Sequence, residues 1–384
     1  MSKCWILILL VASASQANIL PALDRETVDV LPKGVVNARL KNIRISIADR
    51  FDGSGRAQAL AEGLNRQVTV GELSGTTRAQ VDLSMAATVP VLTVGASDRL
   101  SLGFAIPVVR VAATVQTGFQ QSPESQAITQ QLCTATPDVC QQTKARLEGL
   151  LNQQVTSLGY DPLESRSFTQ VGDIRAFAKY SIASESEQQL TVKSGLILPT
   201  GRVVSPDDLT NLHTGKGRFL LDVTGVYARN LLMPDLKWTA YAGFQYEFAD
   251  HPELRIPTAE SSLTPDKEKL RRSGTLEVHA GTSLGYSVRP IGTTFGVGYD
   301  FQRLGSPNHE GSRFSPDRYQ LVNEEYPTRV LHSGYVFLGF STIEWYRRKS
   351  FGLPLELVLS YSRSLGGRNN WKSNLVSADF VLYL

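Results

Sequence analysis

The chain has 384 residues, with 39 Lys and Arg against 36 Asp and Glu, a net charge of +3 and 42% hydrophobic residues. Its basic residues are scattered and form no block, which excludes a polyanion binder, so no nucleic-acid partner is expected. A mean hydropathy of −0.13 suits a soluble protein. It equally suits a membrane barrel whose strands alternate lipid-facing apolar and lumen-facing polar residues, so pattern has to decide.

The first residues read as an export signal. Lys3 supplies a positive start, residues 4–12 a short apolar run, and Ser15, Gln16 and Ala17 a small-x-small cleavage site, so the mature chain is expected to begin at Asn18. The run is too short to span a bilayer. Cys4 leaves with the signal. Cys133 and Cys140 remain as an even pair in an oxidising compartment, which favours a local disulfide over free thiols. A metal site would need further ligands close by, and no His or second Cys pair is near, so no metal and no cofactor is expected.

Beyond the signal, period-two alternation dominates. Over residues 80–91, Val81, Leu83, Met85, Ala87, Val89 and Val91 share one face, and Gln80, Asp82, Ser84, Ala86 and Thr88 take the other. Over 236–248, Leu236, Trp238, Ala240, Ala242, Phe244, Tyr246 and Phe248 alternate with Lys237, Thr239, Tyr241, Gly243, Gln245 and Glu247. The pattern recurs over 276–288, 291–302 and 351–362. Such strands run about ten residues or more, beyond the ~5–6 of soluble sheets and long enough for a tilted membrane crossing. Phe248, Phe301, Tyr326, Trp345, Tyr361, Trp371 and Tyr383 sit toward strand ends, as interface girdles do.

The alternation predicts strands near 36–49, 79–94, 99–118, 167–182, 187–199, 217–230, 235–249, 273–288, 291–303, 327–346, 351–364 and 371–384. The fold class is an all-β transmembrane antiparallel β-barrel of about twelve strands, within ten to fourteen. The connections alternate long and short, beginning with 50–78 and 95–98, then 119–166 and 183–186. Outer-membrane barrels segregate short periplasmic turns from long external loops in this way, and a soluble sandwich has no reason to. Around Pro107 the apolar face switches, which suggests a bulge. A further strand at 64–72 would change the count.

The 119–166 insertion is rich in Gln and Ser, and residues 141–158 have helix-forming composition with Leu147, Leu150, Leu151 and Leu158 near helical spacing. Two readings stand: a small disulfide-stapled helix outside the barrel or in its mouth, and a mobile surface loop. In the final strand Val376, Ala378, Phe380, Leu382 and Leu384 alternate to the C-terminus, where such barrels usually end in Phe.

The inward faces are expected to carry Asp82, Asp173, Arg175, Lys179, Lys193, Asp222, Lys237, Glu247, Glu277, His279, Asp300, Glu356 and Asp379. Such residues pair into a rigid wall or line a solute path. Lys179, Lys193 and Lys237 would form a local basic strip. Catalysis is the weaker reading. His213, His251 and His309 fall in loops, and His332 and Ser333 point to opposite sides of a strand. Residues 281–285 fit G-x-S-x-G, with His279 and Glu277 on the face of Ser283. They lie inside a strand, however, where no strained strand-to-helix turn exposes the serine. Asp207 and Asp208 are adjacent loop acids, weak grounds for a calcium site.

Several stretches resemble a known family. They are Leu31-Pro32-Lys33-Gly34-Val35, Phe51-Asp52-Gly53-Ser54-Gly55, residues 96–103 followed by Ile106-Pro107-Val108-Val109, residues 195–202, and Thr214-Gly215-Lys216-Gly217. Together they are similar to the outer-membrane transporters associated with meta-pathway phenol degradation, relatives of the long-chain fatty-acid transporters. The resemblance runs from about residue 31 onward, outside 119–166, and its motifs mostly mark turns. It implies passive uptake of hydrophobic or aromatic small molecules.

The domain reading is a signal peptide at 1–17, a periplasmic or lumenal segment at 18–35, and a barrel at 36–384. Expected partners are outer-membrane lipid and lipopolysaccharide, the barrel-assembly machinery and a small-molecule solute. The competing function is a structural or surface-interaction protein acting through its external loops.

Overall fold

A computed structural model describes residues 28–384 apart from 71, 186, 211 and 261; the export signal and its cleavage site lie outside the described residues. Twelve antiparallel strands close into one barrel. They are β1 (Val36–Phe51), β2 (Leu73–Ser97), β3 (Leu100–Ala105 continued by Val108–Gln121), β4 (Arg166–Val171 continued by Arg175–Ser184), β5 (Gln188–Ile197) and β6 (Leu220–Asn230). The second half comprises β7 (Leu236–Glu247), β8 (Thr275–Val288), β9 (Thr293–Leu304), β10 (Arg329–Ser341), β11 (Leu355–Arg368) and β12 (Asn370–Tyr383). Each strand pairs with its neighbour in sequence. β1 closes the ring, running against β12 from Asn37↔Tyr383 to Phe51↔Asn370 while also pairing with β2. No backbone edge is then left to face lipid, which is the condition for a sheet to cross a membrane.

The predicted strands all overlap observed ones, but the one expected over 327–346 stops at Ser341, and the short turn expected at 347–350 is a longer connection over 342–354 that carries the helix Ile343–Arg347. It is still shorter than the loops at the other end, so the alternation holds until the last hairpin. There, Asn369 turns with a φ of 51° between β11 and β12. The segment near 64–72 is no barrel strand: Gln67–Val70 folds back on the start of β2, with Gln67 opposite Thr76. At Pro107 the irregularity is a full break, because a proline has no N–H for the ladder. β4 breaks beside it, and the Gly172 N–H donates to the Pro107 carbonyl at 2.7 Å.

The 119–166 insertion is three helices, α1 (Pro123–Ala135), α2 (Pro137–Glu148) and α3 (Leu150–Ser157). α1 starts where Ser122 accepts the Ser125 N–H, and both α1 and α2 begin on a proline, which lacks only a donor that the first turn would leave unused. The Cys133–Cys140 disulfide ties α1 to α2. Leu151 and Val155 of α3 are buried in one cluster with Ile43, Ile45, Val81, Leu83 and Val111 from the barrel wall, and with Leu60 and Leu64 from the first long loop. The insertion is therefore packed into the barrel mouth and is not a free surface loop.

This packing inverts the polarity of the first three strands over their long-loop halves. In β8 the apolar residues Leu276, Val278 and Leu284 face lipid, and Glu277 and His279 face inward. In the long-loop half of β1–β3 the buried face is the apolar one, because helices and loops fill that side of the bore. Asp82, expected in the lumen, is consequently on the outer face of β2 beside Gln80, whose Nε2 donates to its Oδ2 at 2.9 Å.

Leu151→Ala would leave a cavity between α3 and the wall at a cost of about 2–5 kcal/mol. The expected outcome is faster proteolysis within 123–157 with the barrel's heat-modifiable gel shift retained. Unchanged cleavage would contradict the docking.

Candidate solute path through the barrel

The interior holds two chambers in series. The lower one, toward the short turns, is a cavity of about 510 Å³ walled by Arg39 and Lys41 of β1, Lys237 and Tyr241 of β7, Ser283 of β8, Asp300 of β9, Tyr335 and Phe337 of β10, Glu356 of β11 and Asp379 of β12. Val28 and Asp29 also line it. Val28 is buried against Val226, Ala228 and Tyr241, and its carbonyl accepts the Thr191 hydroxyl at 2.5 Å. The segment then leaves along β2 and β3, where the Leu31 N–H donates to Ser101 Oγ at 2.8 Å and the Lys33 N–H to Asp98 at 3.1 Å. Gly95 is required at this crossing, since a Cβ there would sit 1.9 Å from the Pro32 carbonyl oxygen.

The upper chamber, of about 680 Å³, lies among the long loops. Tyr160, Arg202, Val203, Leu209, His251, Leu254, Arg255, Glu325 and Tyr326 line it, with Lys216 and Arg272. Between the chambers is a layer of buried polar side chains: Lys216, Arg218, Gln245, Glu247, Glu277, His279 and Arg329. Glu247, 1% exposed, holds it together by pairing with both Lys216 and Arg218. Around it, Arg272 pairs with Asp250 at 2.6 Å.

Cross-strand reach sets the geometry of the wall. Tyr241 of β7 lies over Gly281 of β8, and its hydroxyl donates to Asp300 of β9 at 2.6 Å. A Cβ on Gly281 would come within 2.3 Å of that ring. The same device runs the other way: His279 of β8 crosses Gly243 of β7 to place Nε2 2.8 Å from Thr224 Oγ1 of β6. The glycine that opens the G-x-S-x-G match therefore makes room for a tyrosine, and Ser283 sits within the continuous strand β8.

The other sequence-predicted positions divide as follows. Lys179 and Lys193 are direct cross-strand partners, both buried, with the Lys193 ammonium 5.1 Å from the Phe177 ring centre. Lys237 donates to Gln189 at 3.4 Å on the far side of β6, so the basic strip is real but not continuous. Asp222 accepts the Thr224 hydroxyl at 3.1 Å, and Glu356 accepts the Tyr383 hydroxyl at 2.7 Å. Asp379 pairs with Arg39.

Asp173 serves the wall, with Arg175 two positions further along the inner face. Its carboxylate accepts the backbone N–H groups of Gly201 and Lys216, at 2.9 and 2.8 Å. Thr200 and Thr214 complete this clasp, donating to the carbonyls of Gly172 and Val171. The Pro107, Pro-Thr-Gly and Thr-Gly motifs thus converge on the break in β4. Asp207 is held by Arg255 and Lys267, and Asp208 by Arg166, so the loop acids already have protein cations.

Arg39, Lys41, Lys216, Arg218, Arg272 and Arg329 escaped the sequence reading. Arg39 and Lys41 lie in phase with the inner face of β1, and Arg218, four residues before Asp222 and just short of β6, keeps the phase of its inner face, so periodicity could have found these three.

Glu247→Gln would leave Lys216 and Arg218 as buried charges without their carboxylate, destabilising the barrel by about 3–5 kcal/mol. A lower temperature for loss of the folded gel band is expected; an unchanged one would contradict its keystone role. In the upper chamber, burial pushes the Glu325 carboxyl up to about 8. It is mostly neutral at pH 7 and gains a negative charge as pH rises through 8. A carboxylate probe introduced into this chamber, such as benzoate, should meet more repulsion at pH 9 than at pH 7, and Glu325→Gln should flatten that step.

No family model and no curated protein matches the chain. Among solved structures it is similar to an outer-membrane channel from Pseudomonas putida F1, with a TM-score of 0.56 at 14% identity over 95% of this chain and 100% of that one. More distant are the translocator domain of the Neisseria meningitidis autotransporter NalP, with a TM-score of 0.38 at 10% identity over 92% and 90%, and the Ralstonia pickettii toluene transporter TbuX, with 0.35 at 9% over 92% and 90%. The closed barrel, its apolar outer belt and this shared fold make the chain a twelve-stranded β-barrel of the bacterial outer membrane.

Proposed function

We propose that the barrel is a channel for passive uptake of small amphipathic or aromatic solutes, and not an enzyme. The observation that carries this reading is the pair of chambers, about 680 and 510 Å³, with a layer of buried polar side chains between them among the described residues. Side chains change rotamer far faster than backbone rearranges, so a layer of this kind can open transiently without disturbing the wall. Both chambers are lined by aromatic rings as well as charges, which suits solutes with an apolar ring and a polar group. The resemblance to the phenol-degradation transporters and the fold shared with the Pseudomonas channel support the same reading.

A second reading, surface recognition by the external helices, draws on Ile128 and Val139, apolar side chains 37% and 47% exposed on α1 and α2. Both readings are separated by one measurement. Purified protein in planar bilayers and proteoliposomes should give discrete conductance steps and uptake of toluene or benzoate, and Glu247→Ala should raise both. Silent bilayers and solute-independent liposomes would remove the channel and leave the surface role.

A further inference from the structure

An arginine follows lipid-facing apolar residues on each of four strands that run toward the long-loop end. On β3 Arg110 follows Phe104 and Val108 and on β9 Arg303 follows Tyr299 and Phe301, while on β11 Arg363 follows Leu359 and Tyr361 with exposed Leu365 beyond it. On β1, Arg44 follows Leu40 and Asn42. All four are exposed on the outer face, and none has a polar partner among the described residues. No Asp or Glu shares the outward positions of these strand faces up to the same level. The outward acids beyond this level on β1 and β2, Asp49 and Asp82, are engaged by Lys372 and Gln80.

The closest pair is defined by register. Arg44 and Arg110 are the two cross-strand partners of Ala86, one on each side of β2. Strand spacing puts their Cα atoms roughly 9.5 Å apart with a methyl group between them. An apolar belt of about 25 Å ends at this height, so the guanidinium groups meet the headgroup layer. Leaving unpaired arginines at the edge of hydrocarbon is unfavourable, and phosphate removes that cost through bidentate hydrogen bonding.

We propose that this rim, centred on Arg44, Ala86 and Arg110, binds a bisphosphorylated glycolipid of the outer leaflet. Two guanidinium groups held by a rigid sheet at fixed separation match a ligand whose two phosphates are fixed on a saccharide. A lipid with one phosphate engages one arginine at a time. The rim's role is separate from the solute path, since these side chains point away from the lumen.

The test uses the full-length protein in detergent, with binding of bisphosphorylated lipid A read by native mass spectrometry. Arg44→Gln with Arg110→Gln should lower affinity by roughly tenfold or more, and each single change by a smaller factor. Arg229→Gln, outward at the opposite rim on β6, should leave it unchanged. Dephosphorylated lipid A, phosphatidylglycerol and inorganic phosphate should all bind more weakly than lipid A. The heat-modifiable gel shift confirms that each variant is folded, and the single variants serve if the double one is not. Equal binding of dephosphorylated lipid A, equal binding of phosphatidylglycerol, or single variants with full affinity would each overturn the proposal.

Discussion

Every other feature of this molecule depends on the closure of the ladder between β1 and β12. In hydrocarbon no water is available to satisfy an unpaired amide, so a sheet with an open edge is excluded and a ring is the remaining solution. Once the ring is closed, alternation fixes which residues meet lipid and which meet the interior. The one place where proline interrupts the ladder, Pro107, shows how strictly the rule is kept. The neighbouring strand breaks with it, and Asp173, Thr200 and Thr214 take over the orphaned backbone groups. Most of the short motifs that mark the family resemblance belong to this repair and to the N-terminal crossing at Gly95, while Phe51–Gly55 forms the turn that Asp52 closes after β1.

Most of the barrel was legible in the sequence because period two is a local property. Val278 and His279 differ in destination for a reason written in adjacent letters. The strand count and the loop asymmetry followed from counting. What could not be read locally was which face of a strand turns inward when another element covers it. For β2 the alternation of Val81, Asp82 and Leu83 was visible, but its sense was set by α3, some 70 residues away. The candidate site was legible to the same extent. Positions on β7–β9 fell where periodicity put them, whereas Lys216 and Arg272 lie at strand ends, where loop geometry decides.

Glycine carries more of the interior design than its frequency suggests. Gly243 and Gly281 are gaps through which His279 and Tyr241 reach two strands across, to Thr224 and Asp300. Such bridges couple three strands through one side chain and hold aromatic and imidazole rings flat against the wall, which keeps the bore from being blocked by them.

The inverted strands have a consequence for calibre. The lower chamber is walled by β1 and by β7 through β12, and no residue of β2–β6 lines it. The bore is therefore eccentric, and its width is not a function of strand number. Variation in the inner faces of β2 and β3 acts on packing, while variation on β7–β12 acts on what passes. The two halves of the circumference are free to diverge independently, one as scaffold and the other as sieve.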